Sequence, residues 1–171
     1  LHLYYGKKIN TYKNIEDNMP VLECSCWEGQ DVDGLGYSSA NLPLEYPCYG
    51  SPDYRTPAFH AEYENGSAVT CLEYAGYKIF DGKKELKGLP STYVESDREA
   101  QTLEITLLDK LVGLEVVLSY TVFADYDAIA KSVRVKNNSS APINAKSILS
   151  SSTYVFDKNF DLDVAFENAL N

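Results

Sequence analysis

The chain has 171 residues, 44% of them apolar, and a formal net charge of −10. That length is enough for one domain with a real core, and the apolar share excludes a disordered chain. The acidic balance makes nucleic acid and anionic membrane poor partners, since both need clustered Lys and Arg, and no apolar run approaches the roughly 18 residues of a membrane span.

The chain opens on LHLYYGKKI, which reads as a strand in progress rather than as a basic leader followed by an apolar core. It carries no initiating Met, so the expectation is a piece cut from something longer. Cys24 and Cys26 in VLECSCW share one face if that stretch is a strand. With Cys48 and Cys71 they make four cysteines, too sparse for a disulfide framework. Neither His2 nor His60 stands at a zinc spacing from them. Free thiols in a reducing compartment, the cytoplasm, are expected, with no metal and no cofactor. Gly34 to Tyr37 (GLGY) reads as a flexible connection, and Trp27 as a packed side chain.

Leu42 to His60 reads LPLEYPCYGSPDYRTPAFH and holds four of the seven prolines. Each proline fixes φ and removes a donor, so the segment is a stiffened loop. In an extended segment residues two apart point the same way. Asp53 and Arg55 would then project together, with Tyr54 opposite and Tyr49 nearby. That arrangement either reads sugar hydroxyls or forms an ion pair that only pins the loop.

From here the period is two. PAFHAEY and SAVTCLEY flank Asn65-Gly66, the clearest type I′ hairpin signal in the chain. Asp81-Gly82 and Gly88-Leu89-Pro90 mark further turns. Arg98-Glu99-Ala100 is at most a single helical turn. Thr102 to Leu108 alternates Leu103, Ile105 and Leu107 with Thr102, Glu104 and Thr106, a half-buried strand, and a short turn at Asp109–Gly113 leads into GLEVVLSYTVF. SVRVKN alternates again, and NNSSAP turns the chain toward INAKSILSSSTYV. The ending FDLDVAFENALN is a last strand or a frayed terminus. Fourteen tyrosines, against six Phe and one Trp, suit strands of this kind and binding surfaces equally. No 3.6-residue period with caps occurs. The fold class expected is all-β: one antiparallel β-sandwich domain over residues 1–171, incomplete by itself.

Chemistry is sparse. A nucleophilic triad needs a histidine, and His60 sits in an alternating strand. Nothing pairs two of the twenty-five acids by spacing as a glycosidase would. No phosphate loop, metalloprotease motif or dinucleotide fingerprint is present. No catalytic residue is assigned.

Taken together, LEYPCYGSPDYRTPAFH, YKIFDGKKELKGLPSTYVE, EAQTLEITLLDKLVGLEVVLSYTVF and DAIAKSVRVKN resemble one family in order, from about Leu42 to Asn137. They look like the amino-terminal β-supersandwich of microbial α-galactosidases of glycoside hydrolase family 36. The opening LHLYYGKKI also resembles an early strand of that domain. Lys131 departs from it, standing where an arginine is more usual, and the tail after Tyr154 fits less closely. The resemblance implies a parent enzyme with a central (β/α)₈ barrel that carries two catalytic aspartates. It implies retaining cleavage of terminal α-galactosides of the melibiose and raffinose type, and tetramers in which this domain reaches a neighbour's pocket. It favours the sugar-contacting reading of Asp53 and Arg55. No βα alternation occurs in this chain, so the fragment is expected to be inactive alone and to dimerise or exchange a strand through unpaired edges. The alternatives are a stand-alone carbohydrate-binding sandwich with a tyrosine platform, and a purely structural domain.

Overall fold

The computed structural model describes residues 44–51, 56–88 and 91–152. The opening LHLYYGKKI and the ending FDLDVAFENALN lie outside them. The chain divides into two compact units, residues 46–152 and residues 1–45 with 153–171. All six described strands belong to the first unit. They are β1 (Phe59–Tyr63), β2 (Glu73–Asp81), β3 (Ala100–Asp109), β4 (Leu114–Phe123), β5 (Ile129–Asn137) and β6 (Ile143–Ile148). A single 3₁₀ turn, Asp97–Glu99, precedes β3, with the Ser96 hydroxyl accepting from the Arg98 N–H.

β2, β3, β4 and β5 form a four-stranded antiparallel sheet in sequence order, and β1 pairs with β6 in a separate two-stranded ribbon. The register sets the faces. Ile105 lies across from Leu118, and Leu118 from Val133. Because side chains alternate along a strand, Leu107, Val116 and Val135 join them on one apolar face, and Tyr120 extends it.

β1 supplies the other half of the core. Phe59, Ala61 and Tyr63 are buried together with Leu114, Val116 and Leu118, and Ile105, Leu107, Val133 and Val135 pack around them. The two layers make an antiparallel all-β sandwich, as the alternation predicts. Phe59 is among the largest fully buried side chains, and burying a ring of that size is worth roughly 1.5–3 kcal/mol.

The β3–β4 hairpin forms where the sequence places it, with Asp109 opposite Leu114. The Asp109 carboxylate organises the loop, accepting from the Leu111 N–H at 3.0 Å and, through its other oxygen, from the Cys71 N–H at 2.8 Å. Gly113 closes the loop at φ 70°, a conformation that disfavours a side chain.

Two expectations are corrected. Asn65-Gly66 does form a turn, but not a type I′ hairpin between PAFHAEY and SAVTCLEY. Gly66 has φ 79° while Asn65 does not have positive φ, and Tyr63 exchanges bonds with Gly66 and Ser67, both at 2.9 Å. That is a type I turn closed by a left-handed glycine. The strand after it begins only at Glu73, and β1 takes β6 as its partner, with Phe59 opposite Ile148. Long-range pairing overrides the local turn signal.

The second correction concerns the polar face of β3. Thr102 and Glu104 are buried, although alternation places them toward solvent. The segment after β2 covers them: Lys83, Lys84, Glu85 and Leu86 enclose a cavity of about 240 Å³ over that face.

Candidate functional site

The proline loop is anchored at both stems. Cys48 forms a parallel bridge with Phe59, and the Tyr49 N–H donates to the Phe59 carbonyl at 2.9 Å. The Ala58 N–H donates to the Pro47 carbonyl at 2.7 Å, and the Ser51 N–H to the Cys48 carbonyl at 3.0 Å. Tyr46, Pro47, Cys48, Ala58 and Phe59 are all buried, so the loop rises from the core itself. Gly50 turns the outgoing stem at φ 86°, and a Cβ there would lie 2.9 Å from the Val69 side chain.

Asp53 and Arg55 lie outside the described residues, as do His2, Cys24, Cys26, Trp27 and Gly34 to Tyr37. Tyr49 is half-exposed and stacks on His60, with ring centroids 4.3 Å apart and planes 16° from parallel. His60 itself sits opposite Ser147 in the β1–β6 ribbon.

Burial governs the titratable groups beneath the loop. It pushes the Cys48 thiol up to about 12, with Asp109 and Cys71 adding to the effect. It also raises the Tyr46 hydroxyl, with Cys48 contributing. Burial likewise raises Tyr63, against a hydrogen bond with Thr70 that lowers it. These are inert groups, unsuited to nucleophilic work at neutral pH. Cys48 and Cys71 are free thiols.

Glu104 is the charged residue that sequence reasoning missed. It is 2% exposed, with Lys84 Nζ at 2.8 Å, Lys78 Nζ at 3.7 Å and Arg134 at 4.0 Å. Burial raises its pKa, but the Lys84 hydrogen bond and the Lys84, Arg134 and Lys78 charges outweigh it, leaving the carboxyl below its ordinary value. Next to it the Thr102 hydroxyl donates to the Gly82 carbonyl at 2.7 Å, so Thr121 must donate to Thr102 at 2.8 Å. This network ties the covering segment to the sheet. Among the described residues no group of three or more His, Cys, Asp or Glu could hold a metal ion.

The family model described as the glycosyl hydrolase family 36 N-terminal domain matches residues 1–163. An α-galactosidase of Geobacillus stearothermophilus, AgaA, is 42% identical over 136 residues, covering 80% of this chain and 18% of that protein. An α-galactosidase of Lactobacillus acidophilus is 37% identical over 163 residues, 94% of this chain and 22% of that protein. Among solved structures, a variant of the Geobacillus enzyme in complex with raffinose superposes with a TM-score of 0.76 at 39% identity, covering 88% of this chain and 21% of that one. The chain thus spans about a fifth of the length of the relatives it matches.

Proposed function

The chain belongs to the glycosyl hydrolase family 36 N-terminal domains, and on that footing we propose that it is the non-catalytic part of an enzyme removing terminal α-galactosyl groups with retention. The observation that carries this reading is the family match over residues 1–163, in a chain whose described residues are built of strands. The catalytic carboxylates belong to another domain of that enzyme. The substrates are α-galactosides of the raffinose and melibiose type, consistent with relatives solved in complex with raffinose and stachyose.

In the same reading the domain takes part in a homo-oligomer, and the proline loop forms the rim of a neighbouring active site with Asp53 and Arg55 toward the sugar. The clamped stems support it, because stems already ordered on the core lower the entropy that a contact made by the loop must cost. The cytoplasm is the compartment proposed, in keeping with the free Cys48 and Cys71 thiols.

The test is made in the full-length enzyme. Asp53→Ala and Arg55→Ala are each expected to lower kcat/KM for raffinose about tenfold or more, as loss of a charged hydrogen bond to substrate would. Unchanged kcat/KM in both variants, with the oligomer intact, would leave the loop a purely structural role.

A further inference from the structure

Far from the proline loop in sequence, the segment 91–99 and the end of β4 with its following turn enclose a groove of about 930 Å³. Tyr93 and Tyr126 line it and are 76% and 74% exposed, and Phe123 lines it from the end of β4. Among the described residues of its lining, Glu95, Glu99 and Asp125 are the charged ones, with no lysine or arginine. The walls are fixed to each other, because the Ala124 N–H donates to the Glu99 carbonyl at 2.8 Å. The Glu99 carboxylate also accepts the Glu95 N–H at 3.2 Å, which shapes one wall.

This lining selects a ligand by chemistry. The three carboxylates repel phosphates and other anions. They accept hydrogen bonds well, and hydroxyl groups supply them. Exposed tyrosine rings offer flat apolar faces at small entropic cost. A neutral polyol with an apolar patch meets both demands, and an α-galactosyl group is one, since with its 4-hydroxyl axial the C3–H, C4–H and C5–H bonds gather on the opposite side of the ring. The volume lies within the roughly 300–1,000 Å³ typical of small-molecule sites.

We propose that this groove is an accessory saccharide site that binds α-galactosides such as raffinose and stachyose through Tyr93, Tyr126 and the Asp125 carboxylate. It rests on the α-galactoside specificity proposed above, but not on the Asp53–Arg55 loop. Its role is to hold an oligosaccharide on the β-domain, apart from the reacting bond.

The test is a titration of the 171-residue chain with raffinose and stachyose, followed by saturation-transfer NMR and calorimetry, with circular dichroism reporting the fold. Both tyrosines are largely exposed, so their alanine variants keep the wild-type spectrum. Tyr93→Ala and Tyr126→Ala are expected to weaken stachyose binding about five- to tenfold each, as loss of one stacked ring would. Asp125→Asn weakens it less, and Asp53→Ala with Arg55→Ala leaves it unchanged. The proposal is overturned by a folded chain that binds neither sugar, or by binding that ignores both tyrosines. It is equally overturned if tetramethylammonium, and neither sugar, perturbs the tyrosine resonances, which would make the groove a cation site. Loss of binding in the Asp53 and Arg55 variants alone would assign the sugar to the loop instead. Unchanged kcat/KM in the loop variants, by contrast, would leave the groove untouched.

Discussion

Glu104 shows how one side chain can be held charged inside a sheet layer. Its carboxylate is buried, while its three cationic partners are more than half exposed, so its charge is balanced by groups that keep most of their own hydration. Glu104→Gln is expected to destabilise the fold by about 1–3 kcal/mol at pH 7, measured by urea denaturation. The pH dependence has a definite sign. The folded pKa is depressed, so the stabilisation is present above the unfolded carboxylate value and is lost as pH falls through the folded one. The gap between wild type and Glu104→Gln therefore closes on acidification. A gap that stays constant to low pH would rule out this account. Cysteine reactivity follows the same logic of burial. Cys71 is exposed and Cys48 is buried with its thiol raised, so native alkylation at about pH 8 followed by peptide mapping should label Cys71 and spare Cys48.

At the scale of the element, turns are decided by backbone geometry and strands by their partners. Gly113 ends the β3–β4 loop at positive φ, and a Cβ there would lie 2.9 Å from the Ser139 Cβ and 3.1 Å from its backbone nitrogen. Gly113→Ala is expected to cost about 1–3 kcal/mol, seen as a lower Tm. Gly66 also has positive φ but has open space around it, so Gly66→Asn, which tolerates that conformation, costs less. Equal losses at both positions would contradict the steric argument. β1 is the element on which the sandwich most depends, because five residues bring Phe59, Ala61 and Tyr63 into the core and also anchor the proline loop. Phe59→Ala is expected to remove about 3–5 kcal/mol, read from the same denaturation curves.

At the largest scale, the described core is built in two layers. The β1–β6 ribbon closes one face of the four-stranded sheet, and the Lys83–Leu86 segment covers part of the other. Among the described strands β2 is an outer one of its sheet, and it exposes Tyr74, Tyr77 and Ile79. Purified alone, the chain is expected to release no galactose from an aryl α-galactoside, and measurable turnover would contradict its proposed non-catalytic role.

The alternation in TLEITLL and GLEVVLSYTVF, with a loop between them, was sufficient for the β3–β4 hairpin, because period and turn chemistry are local properties. The prolines likewise marked Pro47 and Pro57 as positions outside the strands without reference to the rest of the chain. The partner of β1 was not legible, because pairing Phe59 with Ile148 depends on closing a long stretch of chain around the core. Nor was the burial of Glu104, which alternation alone assigns to solvent until the Lys83–Leu86 segment folds over it. Tyr93 and Tyr126 carry no strand period, and their one sequence signal is an aromatic set among turn residues and acids. The order of residues was enough for the strand class, most of the turns and the family. Which strands meet, which charge is buried and which rings share a groove came only with the folded chain, since each follows from distant segments coming together.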